Sequence, residues 1–339
     1  MAETVNTAEI AKKISSDIFN VFHWHVVPQE DANFECVLEH HLTKGGDKKK
    51  STHPCDAIFY YLDPYLNKVV YFHTDLKSYA KSSIQIGKVR EALNSLAMTV
   101  ECAHVSTEWK KKFPRNDDEN FDIRGLLFVA NHDNKAPLSF GAHLSNISKS
   151  NLNIAKDQIL HVLGPKEISE LYSVATDIKL LIFDKKLPPL YRFFYPDLTL
   201  WKRHTTDDQR TAATIETLMS PYFILKHEAL KDDTGEPIQR PGCIVYYSRN
   251  GATVEEFIYL LDSLLRFQLV SAKEQVRIRV FNRDIDAYMK NNFAKAKERY
   301  CQSWGFDGDR ESEIKDITID AISKIEPNYS PDDMGWKNK

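Results

Sequence analysis

The chain has few cysteines, and they lie far apart. Five occur among 339 residues, and none forms a Cys-x-x-Cys pair. Their positions are Cys36, Cys55, Cys102, Cys243 and Cys301. This spacing argues against a disulfide framework and against a zinc ribbon, and it favours reduced thiols in a cytosol. We therefore expect a cytoplasmic protein.

Long apolar runs and several common motifs are also missing. No run approaches the ~20 apolar residues that span a bilayer, and the N-terminus lacks the basic-then-apolar layout of a signal peptide. The sequence has no Walker A, GxSxG or GxGxxG pattern, so nucleotide hydrolysis and serine chemistry have no support. The net charge of -3 means that any nucleic-acid surface must be local. With 42% apolar residues, the chain is globular and has room for two domains.

Two apolar segments at 57–62 and 68–75 carry the strongest signal. Asp63-Pro64-Tyr65-Leu66-Asn67 between them is a turn sequence, so the segments predict a β-hairpin. The hairpin brings Asp56 and Asp75 to the same end of a sheet. Lys77 projects with Asp75, because residues i and i+2 of a strand share a face. Two carboxylates and an ammonium at one sheet edge can hold a divalent metal and a water, which suits phosphodiester cleavage.

Helical periodicity surrounds this hairpin. Apolar residues four apart predict a helix over about 10–22 and another from about Asp31 to Leu42, with Glu35 and Glu39 on one face of the second. A long helix is predicted from about residue 86 to 100. Residues 125–130 then read as a strand buried on both faces, reached by a crossover that suits a parallel connection.

This order resembles the PD-(D/E)xK nuclease superfamily, over about residues 16–131. Phe34-Glu35 looks like the helix glutamate of that pattern, with Glu39 as its rival. Asp56 looks like the strand aspartate, although Pro54-Cys55-Asp56 has one residue inserted in the Pro-Asp step. Asp75-Leu76-Lys77 looks like the (D/E)xK triplet. A weaker similarity, in domain layout, is to nuclease subunits of prokaryotic anti-phage defence systems.

The resemblance implies a mixed α/β, restriction-endonuclease-like fold and a metal-dependent nuclease. Its catalytic residues would be Glu35, Asp56, Asp75 and Lys77. Asp56, Asp75 and the backbone carbonyl of Leu76 would bind Mg²⁺ or Mn²⁺, because hard oxygen ligands select these ions over zinc. The expected substrate is nucleic acid, DNA in preference to RNA. An activating or recognition protein subunit is a further expectation, and no membrane partner is expected.

The histidines invite a zinc interpretation at His23-Trp24-His25 and at His40-His41. Neighbouring residues on one strand point to opposite faces, and we expect that no cysteine partners these histidines. Core or surface roles are therefore favoured for them. His73, two residues before Asp75 on the same strand face, is expected to support the site.

The rest of the chain is predicted to form three further units after a nuclease domain at 1–137. Residues 138–190 read as a helical connector, in which Ile159, Val162 and Leu163 join a helical rhythm. Residues 191–304 read as a ferredoxin-like βαββαβ domain with a C-terminal helix. Residues 305–339 read as an acidic tail that orders only on a partner.

Basic residues between Lys273 and Arg299 predict a nucleic-acid contact, with a solvated face as the alternative. The residues concerned are Arg277, Arg279, Lys290, Lys295 and Lys297. Two other functions stay open. One is a binding scaffold on a degenerate nuclease fold. The other is RNA binding by a ferredoxin-like sheet, which requires exposed aromatic side chains. The candidates for that role are Phe193, Tyr195, Tyr246 and Tyr247.

Overall fold

A computed structural model describes most of the chain. The described residues are 2–28, 33–43, 46, 48–114, 120–133, 135, 140–148, 152–196, 210–232 and 234–331. The strands of the first half are β1 (His25–Val26), β2 (Phe34–Glu35), β3 (Thr52–His53), β4 (Ala57–Asp63), β5 (Lys68–Tyr79), β6 (Phe121–Asn131) and β7 (Leu160–Leu163). Its helices are α1 (Ala2–Asp17), α2 (Ile86–Val105), α3 (Thr107–Lys112), α4 (Phe140–Ser145) and α5 (Pro165–Phe183), with short 3₁₀ turns at Phe19–Phe22 and Lys81–Ser83.

The first sheet has the strand order β1-β4-β5-β6-β7. The predicted hairpin is confirmed, since β4 and β5 pair antiparallel with Ala57 opposite Thr74. Its turn is closed by the Asp63 carboxylate, which accepts hydrogen bonds from two backbone N–H groups at 2.9 Å. The parallel connection is confirmed as well, because β6 follows α2 and runs parallel to β5.

Alternation along these strands fills a core on each face of the sheet. Ile58, Tyr71 and Leu127 are buried against the apolar side of α2. Phe59, Phe72 and several neighbours face the opposite way, and they are buried with α1 and α5. The central strands are therefore covered on both sides, which holds their ends, and the side chains there, in fixed positions.

Residues 33–43 do not form the predicted helix. The chain is extended at β2, which pairs antiparallel with β3, and Cys36 donates its backbone N–H to Ser51 at 2.9 Å. The prediction from about Asp31 to Leu42 is therefore wrong over its described part, and residues 29–32 lie outside the described residues. The apolar spacing was compatible with a helix, but pairing with a segment 17 residues downstream (Glu35 opposite Thr52) satisfies the backbone instead.

The helical prediction for the segment at 159–163 is also wrong. β7 pairs parallel with β6, with Leu126 opposite His161, and so extends the first sheet beyond residue 137. Helix α5 follows directly, with Pro165 in its first turn, where the missing N–H of proline has no helical partner to lose. Its buried side chains join the core that also contains residues of the second sheet.

The second sheet is built from the strands that follow α5. They are β8 (Tyr191–Phe193), β9 (Tyr222–His227), β12 (Gly242–Tyr247), β13 (Gln275–Val280) and β14 (Thr318–Ala321). A separate small hairpin joins β10 (Leu230–Lys231) and β11 (Pro237–Gln239). The helices of this half are α6 (Ile215–Leu218), α7 (Val254–Arg266), α8 (Met289–Trp304) and α9 (Gly308–Lys315).

The strand order β14-β13-β12-β9-β8 differs from the predicted ferredoxin-like arrangement. A βαβ unit needs two parallel strands joined by a crossover, but β8 and β9 are direct antiparallel neighbours. The first helix of the predicted βαββαβ order is reduced, in the described residues, to the four residues of α6. The second half does contain parallel crossovers, since β12, β13 and β14 are parallel and are connected by helices.

Two further predictions for this half are wrong. Residues 305–331 are not a disordered tail, because α9 packs on α8 and β14 pairs with β13, while 332–339 lie outside the described residues. The four aromatic candidates for RNA stacking, Phe193, Tyr195, Tyr246 and Tyr247, are all buried. Stacking on bases requires an exposed ring, so these residues have a core role.

Candidate functional site

The two carboxylates that the sequence predicts are Asp56, directly before β4, and Asp75, within β5. β5 is 12 residues long and continues past the beginning of β4 at Ala57, so Asp75, Leu76 and Lys77 pair with β6 on one side only. On the open side, the backbone N–H of Leu76 donates to the Asp56 carboxylate at 2.8 Å. This bond fixes the Asp56 side chain beside Asp75.

These residues line a cavity of about 140 Å³, which we call the carboxylate cavity. The loop before β4 and the strand β5 supply one wall, and α2 supplies the other. The lining residues are Pro54, Asp56, His73, Asp75, Lys77, Ala92, Ser95, Leu96 and Thr99. The Lys77 ammonium contacts the Asp75 carboxylate within the cavity. The structure therefore brings Asp56, Asp75 and Lys77 together.

The electrostatics of the cavity follow from burial and from like charge. Burial, followed by the charge of Asp75, raises the pKa of Asp56 to about 6. Burial acts to lower the pKa of Lys77, but the neighbouring carboxylates outweigh it and the pKa is raised. Asp56 and Asp75 are both half-buried and carry like charges, so their carboxylates repel each other. The pair therefore favours a proton or a cation between them.

His73 forms part of the same wall, as the sequence suggests. It is buried, and burial lowers its pKa to about 3, so its ring is neutral. Its Nε2 atom has no hydrogen-bond partner among the described residues. A buried, unpaired ring nitrogen beside the cavity can accept or donate one hydrogen bond to a bound molecule.

The sequence reasoning missed Ser95 and Thr99, which reach the cavity from α2. Thr99 donates its hydroxyl to the backbone carbonyl of Ser95 at 2.9 Å. The signal was present in the sequence: Ser95 and Thr99 lie four apart on α2, among the apolar residues that face the sheet.

Glu35 does not take the position that the resemblance implies. It lies on the short strand β2, its side chain is exposed, and it is absent from the described lining of the carboxylate cavity. Its rival Glu39 is also exposed and pairs with Lys49. Neither glutamate lies on a helix, and neither is among the described residues that line the carboxylate cavity.

We expect Glu35→Gln to change the rate of phosphodiester cleavage by less than about threefold, because the Glu35 side chain is exposed and does not line the carboxylate cavity. A threefold change corresponds to ~0.5 kcal/mol in the activation free energy. Glu39→Gln is the matched variant, since it also removes one exposed carboxylate charge from this region. Initial rates at saturating metal measure both effects. A loss of a hundredfold or more in only one variant would place that glutamate in the site, in the role that the resemblance implies.

The cations predicted to bind nucleic acid in the second half have other partners. Arg279 binds the buried Asp177 carboxylate, with its Nε at 2.7 Å, and Arg277 contacts His227 at 3.2 Å. Lys297 donates to backbone carbonyls of Lys315 and Ile317 at 2.8 and 3.0 Å. Lys290 pairs with Asp320, and Lys295 is exposed. Arg279 is therefore held in an internal ion pair, which does not fit the predicted nucleic-acid contact.

The prediction that no cysteine partners these histidines is wrong for His41. Cys36 Sγ lies 3.4 Å from His41 Nδ1, and Cys102 is close to both. All five cysteines are free, in agreement with the absence of a disulfide framework. No helix in the described part of the chain has the length and apolar character needed to cross a membrane.

A comparison with known protein families matches the part of the chain that contains the carboxylate cavity. The family described as "GAPS4 protein PD-(D/E)XK nuclease domain" matches residues 1–167. No curated protein and no solved structure gives a significant match. The match spans both carboxylates, Lys77 and the whole first sheet, including β7. The chain therefore carries, in residues 1–167, a PD-(D/E)XK nuclease domain that is similar to that of the GAPS4 family.

Proposed function

We propose that the protein is a Mg²⁺- or Mn²⁺-dependent nuclease that hydrolyses phosphodiester bonds in DNA and acts in anti-phage defence in the cytoplasm. The observation that carries the proposal is the convergence of Asp56, Asp75 and Lys77 on one cavity within a PD-(D/E)XK domain. The match to the GAPS4 family supports the defence role. We also propose a protein subunit that recognises the target or activates cleavage.

The donor set fits a hard divalent cation. Asp56 and Asp75 offer carboxylate oxygens whose mutual repulsion a cation offsets. Leu76 points its N–H toward Asp56, and in an extended strand the carbonyl of the same residue points to the same side. That carbonyl is the proposed third oxygen ligand, and such oxygen ligands favour Mg²⁺ or Mn²⁺ over zinc.

The side chains divide the chemistry between them. A bound divalent cation lowers the pKa of water and stabilises charge on the phosphate. Asp56 and Asp75 would hold that cation beside the beginning of β4. Lys77 lies against Asp75 and orients the attacking water or neutralises charge that grows on the scissile phosphate. His73, neutral and unpaired, is placed to hydrogen-bond a water in the cavity.

The proposal is tested by incubating the purified full chain with linear, circular and single-stranded DNA and with RNA. We expect cleavage of DNA with Mg²⁺ or Mn²⁺ and none with EDTA. Faster cleavage of RNA would move the substrate to that class. Calorimetry with Mn²⁺ separates two reasons for inactivity. If Mn²⁺ does not bind, the chain is a scaffold on a degenerate nuclease fold, whereas binding without cleavage calls for the proposed activating subunit.

A further inference from the structure

Four buried side chains form a second cluster of metal-binding atoms beside the carboxylate cavity. They are Cys36, His41, His53 and Cys102, which we call the Cys/His cluster. Cys36 follows β2, His53 ends β3, and Cys102 lies near the C-terminal end of α2. One sulfur or nitrogen atom of each residue lies within 4.8 Å of the corresponding atom of all the others. The oxygen ligands of the proposed nuclease site do not take part.

Two distances within the cluster fit a tetrahedron around one ion. With Zn–N and Zn–S bonds of about 2.0–2.1 and 2.3 Å, neighbouring ligand atoms are about 3.3 Å (N···N) and 3.6 Å (S···N) apart. His41 Nδ1 and His53 Nε2 are 3.2 Å apart, and Cys36 Sγ is 3.4 Å from His41 Nδ1. Both observed distances agree with these values to within about 0.2 Å.

The atoms that face away from the cluster are held by partners. His41 directs Nδ1 inward, and its Nε2 contacts the Glu101 carboxylate at 3.1 Å. His53 directs Nε2 inward, and its Nδ1 contacts the Thr99 hydroxyl at 3.2 Å. Metal-binding histidines are oriented in this way, with the second nitrogen bound to a carboxylate or another oxygen. The backbone N–H of Val37 also donates to Cys102 Sγ at 3.3 Å.

The inward-facing atoms suit a metal more than they suit an empty core. Nδ1 of His41 faces the Nε2 atom of His53 and the sulfur of Cys36, and the sulfur is a weak partner for a buried polar atom. One soft cation would satisfy all four side chains at once.

We propose that Cys36, His41, His53 and Cys102 bind one structural Zn²⁺. Two thiolates and two imidazoles in a closed, buried tetrahedron form a zinc site, in contrast to the oxygen ligands of the carboxylate cavity. The ion joins the β2–β3 hairpin to α2. Each strand of that hairpin has only two residues, too few for independent stability. Because His53 is three residues before Asp56, the ion also anchors the segment that leads into the nuclease site.

Elemental analysis of the purified full chain tests the proposal without measuring activity. We expect about one zinc per chain after gel filtration, since a closed site retains its ion. Cys36→Ser and Cys102→Ser should lose the zinc. Cys301→Ser, a buried cysteine on α8, and Asp75→Asn should keep it. Loss of zinc in Asp75→Asn, or equal loss in Cys301→Ser, would overturn the assignment.

Cobalt gives a second measurement on the unmodified chain, which decides the matter if the cysteine variants do not fold. Replacing the ion by Co²⁺ should give the visible absorption of a tetrahedral site together with a thiolate-to-cobalt band in the near ultraviolet. Chelation of the ion should lower the melting temperature of the chain. Zinc-free protein that gives no cobalt spectrum would overturn the proposal, as would a Cys36–Cys102 disulfide found by mass spectrometry.

Discussion

Asp75→Asn is expected to reduce the cleavage rate by roughly a thousandfold, which corresponds to about 4 kcal/mol of lost transition-state stabilisation. Asparagine keeps the size of the side chain and removes its charge. Asp75 is half-buried beside Asp56, so the fold tolerates this loss of charge and the repulsion within the pair disappears. In the proposed mechanism the variant loses a metal ligand, so Mn²⁺ affinity measured by calorimetry should fall with the rate.

Lys77→Ala separates metal binding from chemistry at the same site. The ammonium contacts Asp75 and so competes with a cation for that carboxylate. We therefore expect the variant to bind Mn²⁺ at least as tightly as the unmodified chain, while its cleavage rate falls about a hundredfold, the effect of removing one group that stabilises transition-state charge. A variant that loses cleavage and metal binding together would assign Lys77 a structural role.

The chain contains its own control for this triplet. Asp184-Lys185-Lys186 repeats the Asp-x-Lys spacing just beyond α5, where Asp184 and Lys186 form an exposed ion pair at 3.1 Å. Asp184→Asn and Lys186→Ala should leave rate and metal affinity unchanged. Full activity of Asp75→Asn under conditions in which the unmodified chain cuts would remove Asp75 from the site.

The placement of Asp56, Asp75 and Lys77 in one cavity could be predicted because it depends on local pattern. Alternation in two segments and a turn centred on Asp63 are enough to define the hairpin, and the hairpin sets Asp56 opposite Asp75. The long apolar helix α2 and the buried strand β6 follow from periodicity in the same way. The family match to residues 1–167 agrees with the resemblance drawn from these residues.

Features that depend on distant pairing gave no such signal. Residues 33–43 have apolar spacing that suits a helix, and only the presence of residues 51–53 alongside makes them extended. The Cys/His cluster joins Cys36 to Cys102, which is 66 positions away, so no motif spacing marks it. Glu35 was misplaced for the same reason, because its role was inferred from a helix that does not form.

Arg277 and Arg279 illustrate the same limit in the second half of the chain. Alternation along β13 shows that they share one face, but it cannot show whether that face meets solvent or another element. The structure places α5 against it. Asp177 of α5 is 1% exposed, and its carboxylate accepts hydrogen bonds from Arg279, from the Tyr246 hydroxyl at 2.9 Å and from the Ser323 backbone at 3.2 Å.

The second large effect is therefore expected in stability. Asp177→Ala should lower the free energy of unfolding by about 3–5 kcal/mol, because it leaves the guanidinium of Arg279 largely buried without its counter-ion. The melting temperature should fall by roughly 10 °C. Asp320→Ala is the matched control: Asp320, on β14 of the same sheet, pairs with Lys290 of α8, and both side chains are exposed. That loss should stay below about 1 kcal/mol.

A double variant shows whether the unpaired charge is the cause. Asp177→Leu combined with Arg279→Met removes both charges and keeps apolar volume, so it should recover part of the stability that Asp177→Ala loses. Tyr246 and Ser323 still lose their acceptor, which keeps the recovery incomplete.

Arg279→Ala alone should destabilise the chain but leave the salt dependence of DNA binding unchanged, because a cation committed to Asp177 releases no counterions from phosphate. If the variant instead shows a flatter salt dependence of DNA binding and unchanged stability, Arg279 contacts phosphate and α5 does not cover this face of the sheet.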